Sequence, residues 1–171
     1  MSDGDLRQLL QRCCGASRWV DSMIAERPFD RGVVEVAREV WQQMRREDIL
    51  EAFDHHPRIG ASVESLREKF GATADLSASE QSGVSSASDS VLRRLRDANL
   101  AYEERFGHIF IVCASGKSAP EMLSLLEARM HNGPEAELAI AAAEQMKITE
   151  LRLNRELASF AGVADKEGED T

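Results

Sequence analysis

One run in this chain has the make-up of a buried strand, Ile109-Phe110-Ile111-Val112-Cys113-Ala114, and no second run matches it. A strand cannot satisfy its backbone groups alone, and even an isolated two-stranded hairpin is marginal in water. The run is therefore expected to be an extended, buried connection and not part of a sheet. The rest of the chain favours helix. Ala, Leu, Glu and Arg are abundant, and only four prolines interrupt them. The expected fold is all-α: a single-domain helical bundle of about eight helices over residues 5–160, followed by a disordered acidic tail at 161–171. A chain of 171 residues is long enough to bury a sizeable core.

Helix signals recur along the sequence. Residues 5–14 and 17–26 read as two short helices, the second capped by Ser17 and broken at Arg27-Pro28. Asp30 is placed to cap a third, whose Val33, Val36, Ala37, Val40, Trp41 and Met44 follow helical spacing. Residues 47–54 form a fourth, and 62–70 a fifth that ends at Gly71. Ser77 stands three residues before Glu80, the spacing of a capping box. Ser85-Ser86-Ala87-Ser88 is expected to break the chain before an amphipathic helix begins at Asp89 and ends at Gly107. Ser118 caps the next, with Pro120 in its first turn, and Pro134 opens a last helix to about Phe160.

The formal charge of −9 argues against nucleic acid or an anionic membrane as the main partner. An anionic ligand would need a local positive site. No apolar run approaches the roughly 20 residues that span a bilayer. The acidic N-terminus lacks a signal-peptide pattern and the C-terminus is not a peroxisomal address, so the expected compartment is the cytoplasm.

The stretch with the strongest chemical content is Phe53-Asp54-His55-His56-Pro57-Arg58-Ile59-Gly60. A residue before proline is pushed out of the helical region, so His56 ends the helix that carries it. Gly60 then permits a tight turn. This holds an imidazole at a helix end on a stiff loop, with Glu80 downstream as a candidate carboxylate partner. A histidine and a glutamate suffice for acid–base chemistry without a metal.

Other motifs carry less. Gly116-Lys117-Ser118 lacks the upstream glycine of a phosphate loop, since the residue five before Gly116 is Ile111. It reads as a turn and a helix cap. His55, His56, His108 and His131 show no metal-ligand spacing, and Cys13, Cys14 and Cys113 read as buried thiols. His55 alone reads as a helix-end residue with a local hydrogen bond. Tyr102 and Phe106 read as core. Taken singly, Arg129, Arg152 and Arg155 read as solvated arginines in ion pairs. The backbone groups after Gly107 would suit a flat, amide-rich heterocycle.

In this order, the pieces closely resemble the 2-oxo-4-hydroxy-4-carboxy-5-ureidoimidazoline (OHCU) decarboxylases of urate degradation. The shared elements are His56-Pro57-x-x-Gly60, Ser77-x-x-Glu80-Gln81, the run from Arg105-Phe106-Gly107 to Ile111, and Leu151-Arg152-Leu153 in a terminal helix. The resemblance implies an all-helical, cofactor-free enzyme, commonly a homodimer, that converts OHCU to (S)-allantoin. It implies His56 and Glu80 as the catalytic pair and Arg152 as a substrate-holding residue. Pro57, Ser77 and Gln81 would line the pocket, and backbone groups of Phe110, Ile111 and Val112 would contact the substrate. The competing expectation is a non-catalytic helical binding or adaptor domain, with a metal-dependent hydrolase as a weaker rival.

Overall fold

The computed structural model describes residues 2–58, 62–70 and 78–167, with the backbone alone described at 69–70, 78–88 and 160–167. Among these residues there are eight helices and no strand, so the fold is all-α. They are α1 (Asp3–Cys13), α2 (Ser17–Ala25), α3 (Val33–Gln42), α4 (Arg46–Asp54), α5 (Val63–Phe70), α6 (Ala78–Phe106), α7 (Ala119–Arg129) and α8 (Pro134–Glu167). The run from Ile109 to Ala114 is an irregular connection between α6 and α7, with Phe110, Ile111 and Val112 buried.

The helices form two compact units, one containing α1 to α4 with α8 from Ala142 onward, the other spanning Pro57–Ala141. In the first, α1 buries Leu6, Leu9, Leu10 and Cys13, an i, i+3, i+4, i+7 stripe. The stripe shares a core with Trp19, Val20 and Met23 of α2, with Val36, Val40 and Trp41 of α3, and with Leu153 of α8. Each fully buried large apolar side chain is worth about 1.5–3 kcal/mol. Both tryptophans also satisfy their indole donors: Trp19 Nε1 donates to the Ala37 carbonyl at 3.2 Å and Trp41 Nε1 to that of Ala142 at 3.0 Å. Trp41 thereby ties α3 to the start of this unit's α8 segment.

Two expected caps lie elsewhere. The residue capping α2 is Ala16, and Ser17 is already helical. Its backbone N–H and hydroxyl both donate to the Glu51 carboxylate of α4, at 3.1 and 2.6 Å. A tertiary acceptor here does the work that a local cap would otherwise do. Likewise α3 is capped by Gly32, at φ 91°, and not by Asp30. Ser118 does cap α7, accepting from Glu121 N–H at 3.3 Å.

The second unit packs α5, α6 and α7 around Leu66, Leu95, Tyr102, Met122 and Leu126. The helix α6 runs unbroken through Ser85–Ser88, against expectation. Serine costs only a few tenths of a kcal/mol in a helix, and no proline occurs there. Asp89 is thus inside α6, where it accepts two hydrogen bonds from Arg67 of α5, at 2.7 and 2.9 Å. Gly107 ends α6 with φ 76°, and its N–H bonds the Glu103 carbonyl at 2.8 Å. The helix α8 continues to Glu167, past the expected end near Phe160. Its Ala, Lys and Glu residues after 160 are good helix formers.

Candidate active site

The helix α4 stops because Pro57 cannot continue it. The His55 N–H reaches the Ala52 carbonyl at 3.3 Å and the His56 N–H that of Phe53 at 3.0 Å, closing the last turn. His55 is exposed, and its Nδ1 lies 2.9 Å from the Glu51 carbonyl, to which it donates. This is the local helix-end bond expected of it. His56 is half-buried, and its Nε2 lies 2.5 Å from Oε1 of Gln145 on α8.

Both histidines line a cavity of about 450 Å³ within the first unit, together with Gln11, Arg12, Arg152 and Arg155. Arg12 is committed to Glu156, with Nε at 3.2 Å and Nη2 at 2.9 Å from its carboxylate oxygens. Arg152 is not committed in this way. Among the described residues its Nη1 makes only long contacts, 3.5 and 3.4 Å, to the carbonyls of Arg12 and Cys13 at the end of α1. A helix C-terminus is a favourable place for a cation. No carboxylate of the described residues pairs with Arg152 or Arg155. The surface ion pair expected for each is therefore absent among those residues, and two guanidinium groups remain available to an anion.

Burial holds the His56 imidazole below its ordinary pKa of 6.5. The Gln145 hydrogen bond opposes that shift, while the Arg152 charge and His55 add to it. His56 is neutral at pH 7 and has a lone pair to offer. The two nearby thiols do not. Burial pushes Cys13 and Cys14 up to about 11, so neither is a thiolate nucleophile near neutral pH.

The remaining residues singled out in the sequence belong to the second unit. Pro57 is exposed, and Phe110, Ile111 and Val112 are buried. The Ile111 carbonyl accepts a hydrogen bond from Arg129 Nη1 at 2.8 Å. Arg129 is buried, contrary to the expected solvated ion pair. Its Nε donates to Glu137 Oε1 at 2.7 Å, and Nη2 lies 2.6 Å from the same oxygen without hydrogen-bond alignment. The fully buried Glu137 also accepts from Tyr102 Oη at 2.5 Å and Asn132 Nδ2 at 3.0 Å. This network clamps the Ile111 backbone. Glu80 and Gln81 lie in the first turn of α6. Their side chains, and all of Ser77 and Gly60, fall outside the described residues.

The family model for OHCU decarboxylase matches residues 1–154. The chain belongs to the OHCU decarboxylase family. It is 43% identical over 145 residues to the uric acid degradation bifunctional protein of Arabidopsis thaliana, a match covering 82% of this chain and 44% of that protein. It is 40% identical over 60 residues to the 2-oxo-4-hydroxy-4-carboxy-5-ureidoimidazoline decarboxylase of Amia calva, covering 35% of this chain and 34% of that one. The matches thus span less than half the length of these curated relatives. Among solved structures, an OHCU decarboxylase crystallised in the presence of (S)-allantoin superposes with a TM-score of 0.70 and 37% identity. That match covers 92% of this chain and 99% of the other. An (S)-allantoin synthase structure shares the fold, with a TM-score of 0.63 at 16% identity over 91% of this chain and half of that one.

Sequence reasoning missed Gln145 and Thr149, both fully buried polar residues, and Gln11, which lines the cavity. A signal was present. Gln145, Thr149, Arg152 and Glu156 fall on one face of α8 at helical spacing. A polar stripe beside the apolar Met146 and Leu153 marks a face turned toward something polar. No group of three or more His, Cys, Asp or Glu suited to a metal occurs among the described residues, and none of their helices is long and apolar enough to cross a membrane.

Proposed function

We propose that this chain decarboxylates OHCU to (S)-allantoin in urate degradation, without a cofactor. The observation that carries the reading is the pairing, in one cavity, of a neutral His56 with the uncommitted guanidinium of Arg152. The reaction needs both. OHCU is an anion whose carboxylate sits on a carbon that also bears a hydroxyl. The carbon–carboxylate bond breaks, its electron pair passes into the neighbouring ring system, and carbon dioxide leaves. One proton is taken up overall, delivered to one face of the ring. Arg152 holds the anion through its planar fork. His56 accepts a proton from the hydroxyl or guides the carboxylate, and Glu80 anchors substrate N–H groups, a role supported by its place in the family motif. Orientation and desolvation supply much of the acceleration. A homodimer in the cytoplasm belongs to the same proposal, supported by membership of the family.

A non-catalytic adaptor domain would account for the helices and the acidity. It gives no reason for a neutral imidazole beside two arginines that pair with no carboxylate of the described residues. The test is freshly generated OHCU mixed with chelator-treated protein and followed by circular dichroism. The uncatalysed reaction gives racemic allantoin, so a signal of the (S) enantiomer that scales with protein concentration is expected. A racemic product at the uncatalysed rate would overturn the reading.

A further inference from the structure

Three polar groups behind His56 favour one arrangement of its protons. The Thr149 hydroxyl has a single proton, and it donates to the Gln145 backbone carbonyl at 3.0 Å. The same hydroxyl oxygen lies 3.1 Å from Gln145 Nε2 and can only accept there. The side-chain amide of Gln145 therefore turns its NH₂ toward Thr149 and its Oε1 toward His56. Were the amide reversed, Oε1 would face the Thr149 oxygen, and the hydroxyl could serve it only by giving up its bond to the Gln145 carbonyl. Cys14 also approaches the Thr149 hydroxyl, but a thiol with a raised pKa keeps its own proton and asks for none. With Oε1 at 2.5 Å, His56 Nε2 must be the donor. Gln145 and Thr149 are both fully buried, so no water competes for these bonds. Nδ1 of His56 has no hydrogen-bond partner among the described residues.

We propose that Gln145 and Thr149 form a tautomer lock that holds the neutral His56 as the Nε2–H form, which makes Nδ1 the nitrogen that exchanges protons with the substrate. The lock itself follows from the hydrogen bonds. The role of Nδ1 rests on the decarboxylase reading above. Gln145 and Thr149 are positioning residues, since they act through His56. The neutral amide matters as well as its geometry: a carboxylate in its place would accept the same hydrogen bond but favour imidazolium, which has no lone pair to act as a base.

The test is long-range ¹H–¹⁵N correlation NMR on histidine-labelled protein, with His56 assigned by its loss in His56→Ala. The wild-type ring should show a protonated Nε2 and a bare Nδ1 above its titration. Gln145→Glu should keep that tautomer and raise the His56 titration by about 1–3 pH units, the effect of an adjacent opposite charge. Gln145→Leu and Thr149→Val should give a tautomer mixture and lower kcat more than they raise KM, and Thr149→Ser should restore what Thr149→Val loses. A wild-type ring protonated on Nδ1 overturns the proposal, even if every variant fails to fold. So does an unchanged tautomer in a folded Gln145→Leu protein. The spectra need no substrate, so a locked ring in a protein inactive on OHCU would overturn the function and leave the lock standing. An active enzyme with the opposite tautomer would do the reverse.

Discussion

Gly15, at the turn between α1 and α2, lies against the imidazole of His55. A Cβ on Gly15 would sit 2.2 Å from His55 Cγ, 2.5 Å from its Cβ and 2.6 Å from its Nδ1. The His55 Cβ is fixed by the backbone, so a rotamer change cannot clear it. The α4 end would have to shift, and His56 with it. Gly15→Ala is therefore expected to destabilise the protein by about 1–3 kcal/mol, the usual range for overpacking, and to lower turnover. Adding His55→Gly should recover most of the melting temperature. No recovery would show that the strain lies elsewhere.

His56→Ala should reduce turnover of OHCU by at least about 100-fold, the low end for a positioned acid–base group, with native circular dichroism. His55→Ala should cost a few-fold at most, because that ring is exposed and its Nδ1 is spent on the Glu51 carbonyl. Equal losses in the two folded variants would show that His56 has no special role.

The pH dependence follows from the lowered pKa of His56. Its cavity neighbours are the cations Arg12, Arg152 and Arg155, the carboxylate of Glu156, and His55. If the neutral imidazole is the active form, as proposed, kcat/KM should decline with falling pH through the His56 titration, with a midpoint below 6.5. Stability carries the same sign. Between the folded pKa and the unfolded value of about 6.5, the unfolded chain binds more protons. The contribution of His56 is therefore complete above 6.5 and is lost as pH falls through that window. An NMR titration giving His56 a pKa above 6.5 would refute this.

Arg152→Lys should raise KM several-fold, since lysine keeps the charge and loses the fork, and Arg152→Ala should raise it further. Little change in melting temperature is expected, because the contacts of Arg152 within the chain are long. The neighbouring Arg155 lines the same cavity and is not a neutral control. Arg31, an exposed partner of Glu39, serves better, and Arg31→Ala should leave kinetics unchanged. Wild-type efficiency in Arg152→Ala would mean that another group holds the anion.

Glu80→Gln keeps size and removes charge. Turnover should fall by about 100-fold or more if the Glu80 carboxylate acts on the substrate as proposed, in the range of a positioned acid–base group. Near-normal turnover would leave it a residue of the first turn of α6 and nothing more.

Local rules made much of this protein legible. The lone apolar run at 109–114, the spacing of Val33 to Met44 and the scarcity of proline were enough to predict an all-α fold, because helix periodicity and strand pairing are properties of short segments. His56-Pro57 announced a helix end for the same reason: the proline ring acts on its immediate neighbour. Caps were read less well. Ser17 and Asp30 have the right chemistry for capping, yet Ser17 is served by Glu51, 34 residues away, and α3 starts from Gly32.

What only the tertiary structure decided is the electrical and protonic state of the site. Burial lowers the His56 pKa, and burial is a sum over atoms from α1, α4 and α8. Gln145 reaches His56 across 89 residues, and Gly15 meets His55 across 40. Arg129 and Arg155 looked alike in sequence; packing buried the first against Glu137 and left the second on the cavity. The residue types determined what chemistry was possible. Desolvation and through-space hydrogen bonds, which depend on neighbours distant in the chain, set the charge of His56 and decide which guanidinium groups lack a carboxylate partner among the described residues.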